Sequence, residues 1–180
     1  LIDRNASLRV VLTGSSASKL RRRGNNLLGG RAWVCTLHPL IHSEVPDVDF
    51  MQRLTRGGLP AVLTSADYRQ DLKAYVGTYL QEEIRAEGLA RSIESFSRFL
   101  EVAGLSSGQQ LNFTAVASDA GVPARTVREH YQILVDTLVG HMVPAYQRTL
   151  KRKPVATAKF FFFDVGVANT LANRSVIEER

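Results

Sequence analysis

The stretch "NFTAVASDAGVPARTVREHYQILVDTLV" (112–139), followed by "HMVPAYQRTLKRKPVATAKFFFFD" (141–164), fixes more of the fold than any other part of the chain. A short apolar helix carrying an inward Ala117 is followed four residues later by Gly121, then by an amphipathic helix over Ala124–Val139. Two helices crossing closely need a small residue at the contact and a turn residue that tolerates positive φ. Val127, Tyr131, Leu134, Val135 and Leu138 recur by threes and fours and define the buried face of the second helix. The apolar runs beyond it flank a basic, proline-containing loop, which predicts a hairpin with a charged tip.

Helix, turn, helix and hairpin in that order describe a winged helix. In that fold the second helix can enter a DNA major groove while the hairpin touches the backbone. Arg125, Thr126 and Arg128 then face outward near the start of the recognition helix, and Arg148, Lys151, Arg152 and Lys153 charge the wing. Such residues would give salt-dependent binding to double-stranded DNA. The same module also serves for packing or protein contact alone. His130, beside Tyr131, reads as a half-buried packing residue.

Upstream, Ser92 is placed to cap a helix carrying Ile93, Phe96, Phe99, Leu100 and Ala103, which ends at "GLSSG". A longer helix is expected over 66–86, with Tyr68, Leu72, Tyr75, Val76, Tyr79, Leu80 and Ile84 on one face. Residues 38–60 read as loop with a short helix near Asp49–Arg56, and "GGLP" (57–60) as a backbone hinge. Two short apolar runs, "LRVVL" (8–12) and "RAWVCTL" (31–37), are strand candidates. Between them lie the Thr-Gly-Ser-Ser tip and a short arginine-rich helix over Ser16–Arg23. The expected fold class is therefore α+β and mainly helical.

Lys and Arg number 23 against 17 acids in 180 residues, a net charge of +6 that suits a polyanion partner without requiring one. Cys35 is the single cysteine, so there is no disulfide framework, and a reducing, cytoplasmic setting fits. The apolar runs fall far short of the ~20 residues that span a bilayer. The four histidines, His38, His42, His130 and His141, are scattered and form no metal-ligand pattern. The chain opens at Leu1 and stops after "NRSVIEER", as an excised piece of a longer protein would.

A strand ending in Thr13 and Ser15 with arginines close behind is also what a nucleotide hydrolase presents to a transferring phosphate. Equally, "RRR" on a short helix reads as a solvated face. The blocks "LIDRNASLRVVLTGSSASKLRRRGNNLLGGRAWVCTLHPL", "GGLPAVL", "YRQDLKAYVGTYLQEEIR", "FSRFLEVAGLSSGQQLNFTAVASDAGV" and "FFFFDVGVAN" resemble, in this order, a prokaryotic family of AAA+-type ATPases. Its members carry a winged helix and a C-terminal, nuclease-like domain of unknown function.

The resemblance implies that residues 1–45 are the C-terminal part of an ATPase core, 46–104 a helical lid, and 105–165 the winged helix. Residues 166–180 would begin the C-terminal domain. It places Thr13 and Ser15 at the sensor-1-like position, makes Arg31 a possible trans-acting arginine at a subunit interface, and sets Pro60 near the adenine. ATP and Mg are the implied cofactors of the intact protein, and a homo-oligomer through the core is a possible assembly. The sequence departs from the family pattern in having no G-x-x-x-x-G-K-[ST] and no magnesium-binding Asp-Asp or Asp-Glu strand end. Pro123 also stands where relatives often have a capping Ser. The 180 residues alone are therefore expected to be inactive as an ATPase. The alternative, a winged-helix DNA-binding protein or regulator without nucleotide chemistry, needs none of these parts.

Overall fold

The computed structural model describes residues 9–11, 13, 33, 35–79, 84, 85, 92–146 and 157–174. Seven α-helices and one two-stranded sheet are present among them. In chain order these are α1 (Phe50–Arg56), α2 (Pro60–Leu63), α3 (Tyr68–Ala74), α4 (Ile93–Leu105), α5 (Phe113–Ala120) and α6 (Ala124–Asp136). The strands β1 (Gly140–Val143) and β2 (Lys159–Phe162) follow, and then α7 (Val165–Leu171). The α+β, mainly helical class read from the sequence is the class observed.

Local chemistry explains most helix starts. Asp49, Asp67, Ser92, Asn112 and Asp164 each accept a backbone N–H of the first turn, satisfying donors that the helix itself leaves open. α6 begins at Pro123 without a side-chain cap, a position where the fixed φ of proline suits helix entry. Gly121 closes α5 in the left-handed conformation, φ 64°, so the turn expected between the two helices is made where the sequence places it.

The strands pair antiparallel with Gly140 opposite Phe162 and Val143 opposite Lys159. The outer edge of β2 is bonded by residues 108–111. Gly108 N–H donates to Phe160 O at 2.7 Å and Leu111 N–H to Ala158 O at 2.9 Å, with a bridge between Gln110 and Lys159. Period-two alternation sends Phe160 and Phe162 inward and leaves Phe161 41% exposed.

The core is one cluster running from Val62 to Leu171. At its centre Phe96 and Phe99 of α4, Tyr131 of α6 and Phe160 of β2 are almost fully buried. The Phe99–Tyr131 and Tyr131–Phe160 ring centroids are 4.8 Å apart in edge-on arrangements. Burial of each such side chain contributes about 1.5–3 kcal/mol, and each ring pair about 0.5–1.5 kcal/mol more. Because α4 packs on α5, α6 and α7 alike, the core is continuous across the 104/105 boundary drawn from the resemblance. α7, expected to open a separate domain, buries Val167, Ala168 and Leu171 in that same core.

Several expectations are corrected. The described residues of the two strand candidates (Arg9, Val10, Val11, and Trp33, Cys35, Thr36, Leu37) form no strand, and Val11, Trp33 and Leu37 are more than four-fifths exposed. An apolar run becomes a strand only when another strand accepts its hydrogen bonds, and none does so among the described residues. The 66–86 helix starts at Tyr68 and turns into a π-helix over Tyr75–Tyr79, while Tyr68, Leu72, Tyr75, Val76 and Ile84 of the expected face do meet the core. In α5 Ala117 packs against the core as expected, and Val116 and Ala120 are the more deeply buried positions. α6 stops at Asp136. Leu138 adopts φ 62° and is exposed, so it ends the helix rather than extending its buried face, while Ile133 and His130 are buried.

Candidate functional site

Gly57–Gly58 is not a free hinge. Asp164, only 4% exposed, stands between this loop and the start of α7. Its Oδ2 accepts Gly58 N–H at 2.7 Å and its Oδ1 accepts Val167 N–H at 3.0 Å. One carboxylate therefore caps α7 and holds a loop 106 residues earlier in the chain.

The fit depends on two missing side chains. A Cβ on Gly57 (φ 81°) would collide with the Asp164 carboxylate, and a Cβ on Gly166 with the Arg56 carbonyl. Asn169 Nδ2 completes the junction by donating to Leu54 O at 3.0 Å. On the opposite side, Leu40 N–H donates to Gly58 O at 2.8 Å. Two segments singled out in the sequence, "GGLP" and "DVGVAN", thus form a single joint.

Beside this joint lies a shallow cavity of about 270 Å³. Pro39, Leu40, Phe50, Leu54 and Phe163 supply apolar wall, Gly57 and Gly58 supply backbone, and His38, Arg53 and Asp164 supply polar groups. Arg56 is engaged elsewhere: its Nη1 donates to Ser65 O at 3.1 Å and its guanidinium lies 4.6 Å from the Tyr68 ring centre. Phe163 links the cavity to the π-helical turn through Tyr75, with ring centroids 6.3 Å apart. Pro60 starts α2, is exposed, and is not part of the cavity wall.

The other sequence-derived residues separate into two groups. Thr13 is described, exposed and outside any strand. Ser15, Arg31, Arg148, Lys151, Arg152 and Lys153 lie outside the described residues. On α6, Arg125 and Arg128 are exposed and Thr126 is partly covered, on the outward face expected for them. Arg125 is paired with Glu129 of the same helix at 3.1 Å, and Arg128 stacks 5.2 Å from the Phe113 ring centre. The described residues carry as many carboxylates as Lys and Arg, so the chain's positive excess belongs to other segments, chiefly 19–31 and 148–153.

His38 and His141 come together, with ring centroids 5.8 Å apart. Among the described residues no three His, Cys, Asp or Glu side chains converge as a metal site. None of the described helices is long and apolar enough to cross a membrane.

A family model described as a domain of unknown function (DUF8612) matches residues 47–177. The chain belongs to this family. The match spans all seven described helices, both strands and the Gly57–Gly58–Asp164 joint, and it leaves Thr13, Ser15 and Arg31 outside. Comparison with curated proteins and with solved structures gave no match.

For this member of the DUF8612 family, Asp164 is the residue that sequence reading missed. "FFFFD" was legible as a strand end, and the Asp two residues before a glycine was a readable cap signal. Its second partner, Gly58, is too distant in sequence for any local pattern to disclose.

Proposed function

We propose that this chain is the lid and winged-helix part of an AAA+-type ATP-binding protein, in which nucleotide at the core–lid junction sets the orientation of the winged helix. The observation that carries this reading is the double role of the Gly57–Gly58 loop. The loop lines the cavity together with Asp164, and that same carboxylate, two residues beyond the hairpin strand β2, accepts the Gly58 N–H. A displacement on the cavity side is therefore passed to β2 and α7 through a buried carboxylate rather than through a flexible linker.

The cavity, just below the roughly 300–1,000 Å³ of sites for drug-sized ligands, suits a base-sized group between Pro39, Leu40, Phe50 and Phe163. The described residues supply no acidic cluster for Mg and the sequence no phosphate-binding loop, so neither phosphate binding nor hydrolysis is assigned to these 180 residues. In the winged-helix part we assign α4 as the first helix, residues 108–111 as the short first strand, α5 and α6 as the helix–turn–helix, and β1–β2 as the wing.

The test is hydrogen exchange on the full-length gene product with and without MgATP. Peptides covering 57–60 and 164–169 should change protection together. A full-length protein that binds no ATP, or binds it with both peptides unchanged, overturns the proposal. Micromolar ATP binding by the 180 residues alone would overturn their assignment as a part lacking the phosphate site.

A second reading, duplex DNA contact, is favoured by the outward Arg125 and Arg128 at the start of α6. It is weakened by the charge balance of that face, where Glu129 already engages Arg125.

A further inference from the structure

We infer that His130 is an acid-sensitive latch between α4 and the helix–turn–helix, holding the two together only while its ring is neutral. The imidazole projects from α6 and is 4% exposed. Its ring centroid lies 4.8 Å from that of Phe96 and 5.0 Å from that of Phe99, two fully buried rings of α4. Nδ1 has no hydrogen-bond partner. A lone pair can be left there at modest cost. A proton on Nδ1 would add a buried donor with no acceptor and a charge between two hydrocarbon rings.

The surroundings offer little compensation. The charged groups on the packed elements are Glu94, Arg98 and Glu101 of α4, Asp119 of α5, Arg125, Arg128, Glu129 and Asp136 of α6, and Arg85 before α4. Arg98 is turned to the Ala120 carbonyl at 3.1 Å. Only Glu129 pulls the imidazole toward its cationic form, and burial outweighs it, so the His130 pKa lies below the ordinary 6.5. Glu129 is itself 58% exposed and shared with Arg125.

The sign follows from the two states. The unfolded chain takes up the proton near pH 6.5 and the packed ring takes it up lower, so the contribution to stability is complete above pH 6.5. It is lost as pH falls below that value, by up to tenfold in the folding constant per pH unit, until the folded pKa is reached. Opening the α4–α6 seam relieves the ring of its cage, which is why the effect is local to that seam.

The test combines two measurements on the intact chain. Urea denaturation at pH 7.5, 6.5 and 5.5 compares the wild type with His130→Phe, which keeps an aromatic ring in the cage, and cancels whatever the two proteins share. The wild-type folding constant should fall relative to the variant by up to about fivefold between pH 6.5 and 5.5. A ratio that stays constant over this window overturns the latch. Hydrogen exchange at pH 5.5 should open peptides of α4 before those of α1 and α7; simultaneous opening of all of them also overturns it. If the variant does not fold, NMR titration of the His130 ring in the wild type decides, and a pKa at or above 6.5 refutes the inference.

Discussion

Replacing Asp164 by Ala removes both acceptors that join the Gly57–Gly58 loop to α7. Loss of the cap on Val167 N–H is worth about 1 kcal/mol. The Gly58 amide, which donates over 2.7 Å and is partly shielded from water, adds about 1–2 kcal/mol when left unpaired. The expected destabilisation is therefore about 2–3 kcal/mol, or a fall in Tm of roughly 5–10 °C for a chain of this length. Urea denaturation followed by far-UV circular dichroism measures it. Asp164→Ser separates the two contributions, because serine caps a helix about as well as aspartate but cannot also reach Gly58. It should recover about 1 kcal/mol relative to Ala. An Ala variant within 0.5 kcal/mol of the wild type would refute the joint, and a Ser variant no better than Ala would refute the division of its energy.

Other consequences follow from the same packing. Gly166→Ala, whose Cβ would collide with the Arg56 carbonyl, should displace α7 from α1 and lower stability, opposite in sign to an ordinary helix Gly→Ala change, which favours the helix by about 1 kcal/mol; thermal melts report the sign. Phe99→Ala empties the space shared with His130 and Tyr131 and should cost about 3–5 kcal/mol, read by urea denaturation. Leu138→Gly relieves a left-handed backbone at an exposed position and should stabilise the chain by up to about 1 kcal/mol in the same assay. If α6 enters duplex DNA, Arg125→Glu with Arg128→Glu should weaken binding and flatten its salt dependence in fluorescence anisotropy. Unchanged affinity would exclude the groove.

Joining α4 and α7 to one core has a consequence for how this DUF8612 domain moves. Phe96 and Phe99 contact the rings of α6, and Gly104 of α4 lies against Leu171 and Ala172. The Gly57–Gly58 loop therefore abuts a packed body, to which Asp164 and Asn169 hydrogen-bond it and its neighbour Leu54.

Sequence alone determined what depends on neighbours within a turn or two. Asp49 and Ser92 announced helix starts, the three-and-four spacing of Phe96, Phe99, Leu100 and Ala103 announced a buried face, and Gly121 announced the turn, because caps, periodicity and positive φ are local properties. The α+β class followed from them. Tertiary structure alone decided which apolar runs become strands, since Val10 and Val11 need a partner that no local pattern supplies. It decided that His130 is buried rather than half-buried, because the covering rings come from α4. It also decided that the GGLP loop is clamped, because the carboxylate that holds Gly58 lies 106 residues away, and a contact of that separation exists only once the helices between have packed.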